Sequence, residues 1–210
     1  SRQHDSHAGD PGSGSLLERG RYRVRLALDD RDLARAQALR GQAFLKERGT
    51  GDADEYDPLC RHVLIEDRLA SELVGCFRYM WFEAGGTLDA SYSAQFYDLG
   101  RLAGFGGAML ELGRFCIRPG AQDADILRLA WGALTGIMDR GGGALMFGCA
   151  SFRGIEPAPY AEAFALLRAR HMAPERWRVG VRAAEVVRFA DMGAGAEVDA
   201  RAGMRALPPL

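Results

Sequence analysis

The sequence predicts an α/β fold in a single domain, a mixed sheet flanked by helices. Three observations carry that expectation. Strand-like stretches alternate with helical ones through residues 21–191, and several strands follow one another across short polar connections that suit hairpins. At its centre, residues 111–138 read ELGRFCIRP and then GAQDADILRLAWGALTGIM, a strand, a Pro-Gly turn and a helix. With 210 residues, 48% of them hydrophobic, the chain is long enough to bury one sizeable core.

Residues 1–20 are rich in Gly, Ser and Asp and are expected to form a flexible tail. RYRVRLAL then alternates, with Tyr22, Val24, Leu26 and Leu28 on one face and arginines on the other, as a half-buried strand suited to a sheet edge. Asp29 or Asp30 caps a helix whose apolar stripe is Leu33, Ala36, Leu39 and Ala43, ending near Gly49. The loop that follows gathers Asp52, Asp54, Glu55 and Asp57. Acidic loops are usually just solvated, yet loops on a rigid scaffold are also where binding residues concentrate.

HVLIE and LVGCFRYMWF are two further strands. Arg78 interrupts the second, and a charge in a buried run needs a partner, with Asp54, Asp57, Glu111 or a ligand carboxylate as candidates. Residues 83–110 are Gly-rich and irregular, with Phe96 and Tyr97 as anchors. In the central stretch Leu112, Phe115 and Ile117 alternate with polar neighbours. Glu111 and Arg114, three apart on a period of two, point to opposite faces unless a bulge intervenes. Asp123 caps the next helix, which buries Ile126, Ala130, Ala133 and Ile137, with Leu127, Trp131, Leu134 and Met138 beside them, and Arg140 before Gly141 ends it. ALMFGCASF is another strand, with Gly148 marking a close backbone approach; PYAEAFALLRARH is a helix, VGVRAAEVVRFAD a last strand, and residues 192–210 a C-terminal extension low in structural signal.

The formal net charge of -1 gives no global argument for nucleic acid. The four cysteines are scattered, without zinc-like spacing or a disulfide framework, so no metal is expected and a reducing cytoplasm is the expected location. No apolar run approaches the roughly 20 residues of a spanning helix, and no signal-peptide pattern is present.

The ordered set Arg40, Phe44, Asp54, Asp57, Arg78, Phe96, Glu111 and Arg114 resembles that of the acyl-homoserine-lactone synthases and their relatives, the bacterial L-ornithine N(alpha)-acyltransferases of ornithine-lipid synthesis. ELGRFCIRP and FGCASF look closer to the ornithine side. The autoinducer synthases carry a tryptophan lining the S-adenosylmethionine pocket where this chain has residues near Thr50, which weakens that alternative. The resemblance implies a GNAT-like domain over 21–191 and an N-acyltransferase that moves a (hydroxy)acyl group from acyl carrier protein to the α-amine of ornithine. The ornithine acyltransferases usually continue past a segment like RALPPL, so 192–210 are expected to be an extension that is either cut short or simply shorter. A degenerate domain that only binds a carrier protein or an acyl chain is the second alternative.

The chemistry follows the same residues. An ammonium cannot attack a thioester, so the acceptor amine needs a base, and Glu111 is the candidate, directly or through water. Asp54 and Asp57 would hold the cationic amines and Arg78 or Arg114 the carboxylate, with Arg40, Phe44 and Phe96 completing the substrate site. Arg40 equally suits a structural bridge from the acidic loop to the sheet. A coenzyme A pyrophosphate favours a Gly-rich basic loop before a helix, whereas RPGAQDAD offers a single glycine and two aspartates. That loop suits the phosphopantetheine arm of a carrier protein, with no tightly bound cofactor. Carrier proteins are acidic, so Arg118, Arg128, Arg140 and Arg153 are docking candidates. Cys149 or Ser151 as an acyl-accepting nucleophile is disfavoured, because no activating group stands nearby in sequence, and His62 reads as a strand residue before a second base. A lipid product would also bring peripheral contact with the inner membrane.

Overall fold

The computed structural model describes residues 14–45, 51–121, 123–152, 154–189 and 199–207. In chain order its elements are β1 (Ser15–Arg19), β2 (Tyr22–Leu26), α1 (Asp30–Arg40), β3 (Arg61–Asp67), β4 (Glu72–Phe82), β5 (Tyr97–Asp98), α2 (Gly100–Ala103), β6 (Ala108–Ile117), α3 (Ala124–Arg140), β7 (Gly143–Phe147), α4 (Ala161–Arg170), β8 (Gly180–Val181) and α5 (Ala200–Ala206). They fall into two compact units, Ser1–Glu83 with Gly107–Gly148, and Ala84–Gly106 with Cys149–Leu210.

The first unit is a six-stranded mixed sheet in the order β1-β2-β3-β4-β6-β7, antiparallel except for the parallel pair β6 and β7. That is the mixed sheet with flanking helices the sequence predicts. One face packs on α3: Val24, Val63, Ile65, Phe77, Tyr79 and Leu110 meet Ile126, Ala130, Ala133, Leu134 and Ile137. Each large apolar side chain buried there contributes about 1.5–3 kcal/mol. The opposite face packs on α1, where Ala36 and Leu39 cover Leu64, Leu73, Cys76 and Cys116. Both helices begin as their caps require, Asp29 accepting from Asp32 N and Asp123 from Asp125 N, each at 2.9 Å.

Several expectations change. The tail does not reach residue 20: Ser15–Arg19 pair with β2 as the edge strand, so β2 is interior, and residues 1–13 lie outside the described ones. The arginine face of β2 is covered too, because α1 closes over Arg25. The α1 spiral continues only as a π turn over Gly41–Leu45, and residues 46–50, where the helix was expected to end, are not described. β7 stops at Phe147, so Cys149 to Phe152 are not strand. At Gly148 a Cβ would stand 2.2 Å from the Leu112 carbonyl, the close backbone approach that glycine there predicts.

In the second unit, β5 and β8 form a two-residue antiparallel pair, residues 182–189 of the expected last strand are irregular, and 190–191 lie outside the described ones. The residues anchoring 84–106 are Leu88, Ser91, Ala94, Leu99 and Leu102, while Phe96 and Tyr97 stand exposed. α4 starts from a short 3-10 turn containing Pro159. The expected extension holds the helix α5, capped by Asp199.

Candidate active site

The centre of the first unit is a β-bulge. Arg78 on β4 stands opposite Gly113 on β6, and Cys76 stands opposite Cys116, so Phe77 faces both Arg114 and Phe115. Arg114 absorbs the extra residue at φ 50°, a left-handed conformation rare outside glycine. The bulge settles the question that spacing leaves open. Glu111 lies opposite Met80, on the side of the sheet that carries Arg78, and Arg114 turns to that same side instead of the opposite one. Phe115 keeps its place on the α3 face, stacked between Phe77 at 5.7 Å and Trp131 at 5.9 Å.

Around the bulge three arginines and three aspartates close a ring. Arg40 is 1% exposed and grips Asp57 with both terminal nitrogens, at 2.8 and 3.0 Å, and Asp52 with Nε at 2.9 Å. Asp57 also receives Arg78, which grips Asp54 through Nη2 at 2.8 Å. Arg114 joins Asp54 at 2.9 Å to Asp52 at 2.9 Å and returns the circuit to Arg40. Burial alone would raise the Asp57 pKa, but the hydrogen bonds from Arg40 and Gln37 hold it well below the ordinary carboxylate range. Burial works the same way on Asp54, and Arg78 outweighs it. The inner members Arg40, Asp57 and Arg78 are buried, whereas the side chains of Asp52, Asp54 and Arg114 are 16, 20 and 24% exposed. The ring therefore has one closed and one open end.

Glu111 is 5% exposed, and it lies opposite Phe147 in the last register pair between β6 and β7. Beyond that pair β6 runs on to Ile117 while β7 has ended. Cys60 lies within the field of Arg78 and Glu111, and burial pushes its thiol up to about 11, so it stays protonated and unreactive. His62, opposite Arg78 in the sheet, donates Nε2–H to the Asp57 carbonyl at 3.0 Å, and burial lowers its pKa. It is held neutral as part of the frame.

Of the other predicted residues, Phe44 lies exposed in the π turn after α1. Phe96 belongs to the second unit, half exposed, with its ring 5.6 Å from Tyr92. Arg118 pairs with Glu72 and Arg128 with Asp125 at 2.7 Å. Arg140 ends α3, about 18 Å of helix beyond Arg128. Arg153 lies outside the described residues. Cys149 is in the second unit, its thiol donating to Ser93 Oγ at 3.4 Å, and Ser151 is exposed. Sequence reasoning missed Gln37, which donates to Asp57 at 2.9 Å, and the bridging role of Asp52. Gln37 precedes Arg40 by three residues on the same helix face, which is the signal that could have found it.

A separate cleft of about 400 Å³ lies at the start of α3, lined by Arg21, Tyr22, Asp67, Glu72, Arg118 and Asp123 among others. Several of its polar groups pair with one another: Arg21 with Asp67 at 2.5 Å, and the Tyr22 hydroxyl, which donates to Asp123 at 2.7 Å.

The Acetyltransferase (GNAT) domain family matches residues 36–132. An L-ornithine N(alpha)-acyltransferase of Rhodobacter capsulatus is 31% identical over 204 residues, covering 90% of this chain and 78% of that protein. The chain belongs to the L-ornithine N(alpha)-acyltransferase family. A second member, from Brucella abortus, is 32% identical over 186 residues, 80% of this chain and 66% of its own length. Among solved structures, the N-acyl amino acid synthase FeeM from uncultured soil microbes overlaps 60% of this chain and 70% of its own, with 15% identity and a TM-score of 0.43. Membership makes this chain an acyltransferase with a GNAT domain.

Proposed function

We propose that this acyltransferase moves a (hydroxy)acyl group from the thioester of an acyl carrier protein to the α-amine of ornithine, giving N-acyl-ornithine, the lyso form of ornithine lipid. The observation that carries the reading is Glu111, a buried carboxylate on the ring's side of the sheet at the last pair before β6 and β7 part. An extended pantetheine arm with two amides would lie along β6 there as an added strand would.

In this reading the α-ammonium passes a proton to Glu111, directly or through one water, and the freed nitrogen attacks the thioester carbonyl. Main-chain N–H groups of β6 hold the oxyanion. The tetrahedral intermediate breaks its C–S bond, and the carrier leaves as its thiol. Arg114, at the open end of the ring, is suited to the acceptor carboxylate. The inner arginines, already bonded to Asp57, hold the acidic loop on the sheet.

The carrier-protein donor is supported by the start of α3. There the chain's own Asp123 caps the helix and Arg118 is paired with Glu72, so the place where a pyrophosphate would bind a helix N-terminus is already negative.

The test is mass spectrometry of the products after mixing the purified protein with hydroxyacyl-acyl carrier protein and, separately, ornithine, other amino acids or S-adenosylmethionine. N-acyl-ornithine is the expected product. A homoserine lactone would replace the acceptor, and carrier binding without product would reduce the chain to a binding domain.

A further inference from the structure

The ring admits a complete account of its carboxylate oxygens. Both oxygens of Asp57 are taken, Oδ1 by Arg40 and Arg78 and Oδ2 by Arg40, Gln37 and the Asp54 N–H. Both oxygens of Asp54 are taken, Oδ1 by Arg78 and the Tyr56 N–H, and Oδ2 by Arg78 and Arg114. Asp52 differs. Its Oδ2 accepts from Arg40 Nε at 2.9 Å and forms an ion pair with Arg114 Nε at 2.9 Å, while its Oδ1 has no donor among the described residues. Asp52 also lies at the open end of the ring, beside the half-exposed Arg114.

We infer that Asp52 Oδ1 is the seat of the acceptor's side-chain ammonium and that this contact selects a diamino acid. The inference rests on the proposed N-acylation and sharpens its acceptor specificity. Three acids and three arginines make the ring neutral, and Glu111 adds one negative charge beside it, which complements a diamino acid carrying two ammonium groups and one carboxylate. The two ammonium groups have opposite needs. The one that attacks must lose its proton, and a tight ion pair with a carboxylate would keep the proton on. The spectator keeps its proton, so an aspartate with one open oxygen suits it, and the attacking amine is left to Glu111. Asp54 and Asp57, whose oxygens are filled by the chain's own donors, serve to aim Arg78 and Arg114.

The test compares ornithine with norvaline, which has the same carbon chain without the side-chain amine, in the wild type, Asp52→Asn and Asp52→Glu. The wild type is expected to favour ornithine by on the order of 10- to 100-fold in kcat/KM, as one charge-assisted contact supplies. Asp52→Asn should collapse that ratio towards one, through a rise in the KM for ornithine several-fold larger than any rise in the KM for norvaline. Asp52→Glu keeps the charge and advances it by one methylene, so its preference should move towards 2,4-diaminobutyrate. This second variant carries the test should Asp52→Asn fail to fold. Equal losses for ornithine and norvaline in Asp52→Asn would overturn the inference and make Asp52 a brace for the ring. Wild-type acylation of norvaline as readily as ornithine would also overturn it while leaving N-acyl transfer intact. Acylation of neither would instead sink the proposed function.

Discussion

Arg114 combines two demands that are separable by mutation. Its guanidinium joins Asp52 to Asp54, and its backbone sits at φ 50° to absorb the bulge. Arg114→Gly and Arg114→Ala both remove the guanidinium, so both are expected to lose most turnover. Only glycine adopts the left-handed backbone without a Cβ penalty, so the Gly variant should be more stable than the Ala variant by about 1 kcal/mol in urea unfolding. Equal stabilities would mean that the bulge relaxes once the arginine is gone. For Glu111→Gln, turnover should fall by about 10²- to 10⁴-fold with carrier-protein binding retained, read by single-turnover assay and titration calorimetry. Loss of both together would make Glu111 a structural charge. The identities of these residues were legible because a charge in an apolar strand is conspicuous. Their geometry was not, since a one-residue bulge moves a side chain to the other face without any mark in the periodicity.

Between elements, a second buried network ties β2 and β3 to α1. Arg25 donates to Glu66 at 2.8 and 3.0 Å and to Asp32 at 2.8 Å, and Arg23 and Arg35 also reach Glu66. Burial would raise the Glu66 pKa, but these arginines hold it at about 2, against 4.5 for an ordinary glutamate; the hydrogen bond from Arg25 likewise lowers Asp32. A depressed folded-state pKa means that this stabilisation is complete above the unfolded value and is lost as pH falls from about 4.5 through about 2. Thermal melts should therefore show Tm dropping across that window, and Glu66→Gln should lower Tm at neutral pH while flattening the acid slope. An unchanged slope would assign the acid sensitivity to other carboxylates. The alternation in RYRVRLAL located this strand, but the burial of its Arg25 depends on Glu66, 41 residues away, as well as on Asp32 in α1. Gly148 was readable as a close approach. Gly148→Ala would press a Cβ into the Leu112 carbonyl, and the strand end must move, at a cost of about 1–3 kcal/mol and with a misaligned gap between β6 and β7.

For the molecule as a whole, the α/β class and the longer elements from β2 to α4 were written in the periodicity, because buried faces repeat at 2 or 3.6 residues. The second unit was the least legible. Its strand pair is two residues long, too short for any alternation to register, and its stretch 84–106 is anchored by Leu88, Leu99 and Leu102 with the small Ser91 and Ala94 in place of the expected Phe96 and Tyr97. The proposed choice of donor turns on another place, where β6 leads into α3. Asp123 spends its carboxylate on the Asp125 N–H and the Tyr22 hydroxyl, Asp125 adds a charge to the first turn, and Arg118 is engaged by Glu72. A nucleotide pyrophosphate would meet carboxylates there, while a carrier protein presents its phosphate at the end of a protein surface and needs no such cradle. Free coenzyme A is therefore expected to compete poorly with acyl carrier protein, with an inhibition constant at least about 100-fold above the KM of the carrier substrate, since several charge-assisted contacts worth about 1.5–3 kcal/mol each cannot form. Acyl-coenzyme A should be a correspondingly poor donor in the same mass-spectrometric assay. Micromolar inhibition by coenzyme A would mean that the loop rearranges to accept a pyrophosphate, and the carrier protein would then lose its claim as the preferred donor.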